Sequence, residues 1–154
     1  MAKYARFICR AWRGPTSSDD VCRWLDIPRD IPLLNELWQA SGAAALPDAE
    51  WEQIARDGYR YAVIVQAGLI VSIAATWKRS TTEWELAAVS TREGHRRLGH
   101  AADVCAFVTA YVLAEGRHAT CTTRADNEAM IATALSLGYE RLPNTDDCPR
   151  EGEH

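Results

Sequence analysis

The stretch STREGHRRLGHA, residues 90–101, is the most informative part of this chain because it links a strand pattern to a helix pattern. Residues 82–89 alternate as a strand does, and residues 101–115 repeat apolar side chains at helical spacing. Gly99 stands where the backbone must turn sharply or pass close to a ligand. A helix start leaves N–H groups unpaired, and together with the helix dipole these favour a phosphate. The stretch therefore predicts a phosphate-binding helix start.

Three arginines in this loop, Arg92, Arg96 and Arg97, offer side-chain donors for charge-assisted bonds to phosphate oxygens. Gly99 and Ala101 are small enough to let a pyrophosphate reach the helix amides. The loop lacks the G-x-x-x-x-G-K-[ST] pattern of a nucleoside triphosphate site and the three glycines of a dinucleotide site, so ATP and NAD are poorer candidates. A basic loop that only caps its helix is the open alternative.

The elements on either side predict the fold class. Downstream, residues 118–123 form a strand pattern, and a helix follows from Asp126 to a stop at Gly138. Strand, helix, strand and helix in succession are typical of parallel pairing. Upstream, residues 61–65 and 69–78 read as a hairpin. We therefore expect a mixed α/β domain with a central, partly antiparallel sheet flanked by helices.

The first part of the chain is divided by turn-forming residues. Residues 1–20 contain a Gly, Pro, Ser and Asp stretch and read as an irregular N-terminal extension. A short strand is predicted over residues 21–27, and helices over residues 30–42, with Asp30 as N-cap, and over residues 47–58. We expect one folded domain over residues 21–142 and a flexible C-terminal tail over residues 143–154.

Composition narrows the function classes. The 154 residues, 47% hydrophobic and 25% charged, suit one globular domain. A net charge of −4 argues against nucleic acid as a partner. The longest apolar run, residues 62–77, is interrupted by polar residues, and the first residues lack an apolar signal core, so we expect no membrane partner and a cytoplasmic location. The five cysteines show no metal-ligand spacing, so no metal is expected, and Cys105 and Cys121 read as core residues.

The loop also carries a resemblance. Arg96-Arg97-Leu98-Gly99-His100-Ala101 fits the Q/R-x-x-G-x-G/A signature of the GNAT N-acetyltransferases at every specified position. Residues 123–139 are similar to the second motif of that family, in which an Asn starts a helix that closes with Gly and an aromatic residue; Asn127, Gly138 and Tyr139 match those places. The resemblance implies a GNAT-like twisted mixed sheet with splayed parallel strands at the cofactor site.

The resemblance further implies acetyl-CoA as cosubstrate and an amine as acceptor, joined by direct attack in a ternary complex. The pantetheine arm would bond to the strand backbone at Ala88 and Val89. The cofactor-binding residues that follow from it are Ala88, Val89, Arg96, Arg97, Leu98, Gly99, His100, Ala101, Ala102 and Asn127. Asn127 could equally be a plain helix-start residue.

Aminolysis of a thioester needs a neutral amine and a proton for the leaving thiolate. Strand alternation places Glu83 and Glu85 on one face with Val89, so Glu85 is the predicted base, with solvent exposure of both carboxylates as the alternative. The tyrosine that the family often uses as the acid is replaced here by Ala134. The resemblance thus leaves solvent, Tyr139, Tyr111 or a substrate group for that role.

These residues leave the acceptor open, and we expect the two early helices together with the N-terminal extension to form its site. One alternative is a non-catalytic acyl-CoA-binding or sensing module of the same fold, and another is an interaction domain without cofactor. The chain after Leu142 is short for the usual last strand, which leaves a sheet edge open to completion by a partner chain, as in a homodimer.

Overall fold

The computed structural model describes residues 3–12 and 21–143, and both described ranges belong to one sheet with helices on its two faces. Seven strands line up in the order β2-β3-β4-β5-β6-β1-β7. Neighbouring strands are antiparallel except β5 and β6, which are parallel. The strands are β1 (Tyr4–Cys9), β2 (Arg23–Trp24), β3 (Tyr59–Gln66), β4 (Leu69–Trp77), β5 (Glu83–Thr91), β6 (His118–Arg124) and β7 (Glu140–Arg141).

Four helices cover the sheet and divide the core into two layers. On one face, Val104 and Val108 of the third helix and Ala134 of the fourth are buried against the strands. On the other, Leu34 of the first helix and Trp51 of the second are buried. The helices are α1 (Ile31–Ala40), α2 (Asp48–Arg56), α3 (His100–Ala114) and α4 (Glu128–Ser136). The predicted mixed α/β class is confirmed, and Cys105 and Cys121 are core residues as expected.

The N-terminal residues correct one prediction. Residues 1–20 read as an irregular extension, but Tyr4–Cys9 form β1, which lies between β6 and β7 inside the sheet. Phe7 and Cys9 are buried there, because alternate side chains of the strand face the α3 side. The prediction failed because one six-residue strand followed by turn-forming residues carries little periodic signal. The predicted linker at residues 14–20 and tail at 144–154 lie outside the described residues.

The hairpin of β3 and β4 follows the prediction. Ala67 and Gly68 both have positive φ, 52° and 77°, as the two central residues of a type I′ turn do. Ala67 is a residue without the glycine freedom that such a turn favours, so the pairing of the flanking strands holds it there. The hairpin places Tyr61 and Ile73 on the α1–α2 face.

Asp30 stands at the N-cap of α1, but its carboxylate does not cap the helix. It accepts the N–H of Asp26 at 2.7 Å and a guanidinium N–H of Arg23 at 3.0 Å. Burial opposes ionisation, yet these bonds prevail and lower the pKa of Asp30. The side chain thus fixes the chain that enters α1.

The two sheet edges are short. β2 and β7 each contain two residues, and β7 pairs only with β1. The homodimer stays a prediction. No helix of the described residues is long and apolar enough to cross a bilayer.

Candidate functional site

The parallel strands β5 and β6 separate partway along their length. They pair from Glu83 with His118 to Leu86 with Cys121, and no pairing follows, although β5 continues to Thr91 and β6 to Arg124. Within residues 3–12 and 21–143, no strand pairs with the backbone of β5 after Leu86 on its β6 side. This is the splayed geometry that the sequence resemblance implied.

A bulge in β5 lies at the point of separation. Ala75 pairs with Ala87 and Ile73 with Ser90, so β5 contains one more residue than β4 between these pairs. Ala88 has a φ of 53°, in the left-handed region that residues with a Cβ rarely adopt. The extra residue shifts the alternation of side chains between the two faces of the sheet. Beyond the bulge, Ser90 and not Val89 lies on the same face as Glu85 and Ala87. The predicted sharing of a face by Glu85 and Val89 was wrong, and Val89 packs against the α3 core.

The loop after β5 ends at an open helix start. Arg97 and Gly99 have φ values of 65° and 84°, and α3 begins at His100, one residue before the prediction. The N–H of Asp103 bonds to the carbonyl of Gly99 at 3.0 Å. For the three amides before it, those of His100, Ala101 and Ala102, residues 3–12 and 21–143 offer no acceptor. The helix dipole and these donors make the α3 start electropositive.

A cavity of about 570 Å³, here called the cofactor cavity, lies between this loop, the end of β5 and α4. It unites five of the predicted cofactor-binding residues from three segments of the chain. Its lining residues are Val89, Ser90, Thr91, Arg96, Arg97, Ala101, Asn127, Ala129, Met130 and Thr133.

The other predicted cofactor residues surround this cavity without lining it. Leu98 is exposed, Gly99, His100 and Ala102 form the α3 start, and Ala88 faces another cavity described below. A Cβ at Gly99 would meet no atom within 4 Å, so open space lies beside Gly99 at the α3 start.

Arg92 departs from its expected role. Its Nε donates to the carbonyl of Ile70 at 2.9 Å, and its guanidinium forms a two-point ion pair with Glu36 of α1. Arg92 therefore ties α1 to β4 and does not line the cofactor cavity. Arg96 bends back to donate to the carbonyl of Thr91 at 3.1 Å, which holds its guanidinium at the rim of the cofactor cavity.

Asn127 caps α4, as one of its two interpretations predicted, and its role toward the cofactor stays a prediction. Its Oδ1 accepts the N–H of Met130 at 3.1 Å and so caps α4. The same side chain lines the cofactor cavity, and the cap does not use its Nδ2. The amide nitrogen is thus left to donate to a ligand.

A second cavity, of about 310 Å³ and here called the acceptor-side cavity, lies on the α1–α2 face. Val89 and Ser90 line both cavities, so the bulged end of β5 is their common wall. The residues that line the acceptor-side cavity are Leu37, Trp38, Ser41, Ala43, Tyr61, Ile73, Ala88, Val89 and Ser90.

Glu85 is buried, with 4% of its surface exposed, so the expectation of a solvent-facing carboxylate was wrong. Its Oε1 accepts a bond from the Thr120 hydroxyl and another from Nη1 of Arg79 at 3.4 Å. Glu85 and the half-buried Glu83 line neither cavity. Glu85 nevertheless lies on the α1–α2 face, two residues before Ala87. Its role as base stays a prediction.

The tyrosines considered as proton donors are elsewhere. Tyr139 is 3% exposed and its hydroxyl bonds to that of Thr109 at 2.7 Å, while burial raises the pKa of Tyr139 well above its usual value. Tyr111 packs on Trp24 and lines neither cavity. Sequence reasoning missed Tyr61, a buried β3 residue that does line the acceptor-side cavity. Burial raises the pKa of Tyr61 to about 12, so its hydroxyl is protonated at neutral pH.

Solved structures similar to this fold include GNAT acetyltransferases. The GNAT-family acetyltransferase of Novosphingobium aromaticivorans is 22% identical, with a TM-score of 0.73 over 92% of this chain and 60% of that chain. The ribosomal-protein-S18-alanine N-acetyltransferase of Escherichia coli is 20% identical, with a TM-score of 0.64 over 79% and 78%. AAC(6')-Iy, bound to a bisubstrate analogue, CoA-S-monomethyl-acetylneamine, is 17% identical, with a TM-score of 0.68 over 84% and 96%.

At these sequence identities, the structural similarity shows that the chain has the GNAT fold. A match of the sequence to a family model then identifies the family. The model of the family described as FR47-like protein matches residues 63–147, more than half of the chain. This chain therefore belongs to the FR47-like family, and its fold is that of the GNAT acetyltransferases. It spans three fifths of the length of the Novosphingobium protein. No curated protein matches it.

Proposed function

We propose that this chain is an N-acetyltransferase that transfers the acetyl group of acetyl-CoA to an amine by direct attack in a ternary complex. The observation that carries the proposal is the common wall of the two cavities. Val89 and Ser90 face a basic cavity on one side and an apolar cavity on the other. Two substrates bound there would meet at the bulged end of β5.

The residues of the cofactor cavity fit coenzyme A. Its pyrophosphate would lie before the unpaired amides of His100, Ala101 and Ala102, with Arg96 and Arg97 at the rim. The pantetheine amides would bond to the β5 backbone after Leu86, which has no strand partner on that side. The bound acetyl-CoA supplies an activated thioester, and the chain supplies position and proton transfer.

The acceptor amine would approach from the acceptor-side cavity. Its lining residues withdraw an ammonium group from water, which lowers the pKa of the amine and favours the neutral nucleophile. Glu85 is the proposed final acceptor of the amine proton. Because Glu85 lines neither cavity, the proton would have to reach it through water along the Ala87 side of β5.

Two measurements test the proposal in sequence. Coenzyme A at a hundred times its Kd should stabilise the folded protein by about 2.7 kcal/mol, visible as a rise in Tm. Acetyl-CoA with a panel of amines should then release free thiol. Stabilisation without thiol release for any amine would favour the non-catalytic acyl-CoA-binding module, and no stabilisation by coenzyme A would favour an interaction domain without cofactor.

A further inference from the structure

We infer that the acceptor is a small molecule with one amino group attached to a compact aromatic or aliphatic body. This inference rests on the proposed function, since it names the substrate class of the same site. The acceptor-side cavity carries it, through the chemistry, the size and the rigidity of its walls.

The side chains that line the acceptor-side cavity disfavour an acceptor with more than one charged group. Among the described residues that line the cavity, none is charged, and the polar side-chain groups are the indole N–H of Trp38 and the hydroxyls of Ser41, Tyr61 and Ser90. The two carboxylates near this face are already paired, Glu36 with Arg92 and Glu85 with Arg79. An acceptor with several ammonium groups would bury charge without a partner, which is costly in an apolar site.

The size of the cavity suits a compact acceptor group. A dry apolar cavity of roughly 150 Å³ holds a benzene molecule. The acceptor-side cavity, about 310 Å³, therefore accommodates one aromatic ring with a short alkyl chain that ends in the amine. The amine end would lie at Ala88 to Ser90, where the common wall meets the cofactor cavity.

The aromatic walls are held in place before any ligand binds. Trp51 packs edge-on against Trp38 at 5.2 Å and against Tyr61 at 6.1 Å between ring centroids. The indole N–H of Trp51 donates to Oδ1 of Asn35 at 2.9 Å, and Asn35 also bonds to the backbone of Leu46. Two fixed rings on one side of a cavity suit a flat or branched apolar group, because little side-chain entropy is lost on binding.

The test compares four amines on the protein saturated with coenzyme A: 2-phenylethylamine, 1,4-diaminobutane, kanamycin and a short peptide with a free N-terminus. Binding is measured by calorimetry, and turnover by thiol release from acetyl-CoA. We expect 2-phenylethylamine to bind at least tenfold more tightly than the other three and to have the highest kcat/KM. Equal or tighter binding of any of the other three would overturn the inference.

The two readouts separate this inference from the proposed function. Preferential binding of 2-phenylethylamine without thiol release would uphold the ligand class and overturn the enzyme. Thiol release with 1,4-diaminobutane, kanamycin or the peptide in preference to 2-phenylethylamine would uphold the enzyme and overturn the ligand class. Failure of all four amines to bind and to react would overturn both.

A charge placed in the wall gives a sharper test. Ala43 lines the cavity and is exposed, so Ala43→Asp should fold and should pair with a second ammonium group. We expect the kcat/KM and Kd of 1,4-diaminobutane relative to 2-phenylethylamine to improve about fivefold. Ala43→Asn controls for shape, and Ala45→Asp, an exposed site outside the lining, controls for net charge. An unchanged ratio in Ala43→Asp, or the same change in Ala45→Asp, would remove this cavity as the amine site.

Discussion

The two cavities are built in different ways. The cofactor cavity takes most of its polar groups from one continuous stretch, residues 89–101, and the unpaired backbone amides of the α3 start belong to the same stretch. The acceptor-side cavity is assembled from α1, β3, β4 and β5, with side chains as its walls. A site made of local backbone depends on loop conformation and on glycine, whereas a site made of distant side chains depends on packing. The first resists most substitutions and the second can change its ligand with one.

The largest expected effect concerns the acceptor side. Replacing Glu85 by Gln should lower kcat by two to four orders of magnitude, about the contribution of a general base, with little change in the Kd of coenzyme A. Arg79 would then lose its buried carboxylate partner, so Arg79→Gln serves as control for the broken ion pair. Similar kcat values for Glu85→Gln and the parent protein would rule Glu85 out as the base.

On the cofactor side, Gly99→Glu should weaken coenzyme A binding about a hundredfold, roughly 2.7 kcal/mol, because it places negative charge before the α3 amides. Calorimetry would measure the Kd. Gly99→Ala has the same backbone strain without the charge, and Gly116→Glu, at φ 78° with no atom within 4 Å, places the same residue at the far end of α3. An unchanged Kd in Gly99→Glu would show that phosphate does not bind at this helix start.

Arg92 follows β5 directly, yet its side chain bonds to α1 and β4 and does not line the cofactor cavity. Arg92→Met removes the ion pair with Glu36 and the bond to Ile70, and we expect it to lower the free energy of unfolding by about 2 kcal/mol. Because α1 would be held less firmly, the KM of the acceptor should rise. The Kd of coenzyme A should change by less than twofold, and a tenfold loss would mean that Arg92 reaches the phosphates after all.

The smallest expected effect is a pH dependence of the free energy of unfolding, which arises from Asp30 at the start of α1. The pKa of Asp30 is lowered in the folded state, so its stabilising contribution is present above the unfolded pKa, about 3.9, and is lost as pH falls through the lower folded value. Urea unfolding of Asp30→Asn should show a loss of about 1 kcal/mol at pH 7 that shrinks as pH falls through the lowered pKa of Asp30. Asp26→Asn, at an exposed position, should show no comparable loss.

Sequence reasoning succeeded where structure is local. The α3 start, to within one residue, and the Ala67–Gly68 turn were predicted because their conformations depend on neighbours in the chain. The bulge at Ala88 was not, since the pattern of β5 alone gives no sign of an extra residue. Burial of Glu85 was missed for a related reason: its partner Thr120 comes from a strand that follows a whole helix.

The acceptor-side cavity could not be predicted from the sequence for the same physical reason. The sequence indicated that the early helices contribute to it, but Tyr61 reads as an ordinary buried strand residue. Its position beside Trp38 follows from the packing of α1 and α2 on the hairpin through Trp51. Contacts between segments far apart in sequence carry no periodic signal.

The placement of β1 has a consequence for synthesis of the chain. Tyr4 pairs with Arg124, so during synthesis β1 stays without this neighbour until β6, far along the chain, has been made. Closing so long a loop is entropically costly, and the wait leaves an apolar strand open to wrong pairing. Truncation before residue 118 would remove β6 and leave β1 without this pairing strand. We expect such a fragment to aggregate instead of folding to a smaller acetyltransferase-like core.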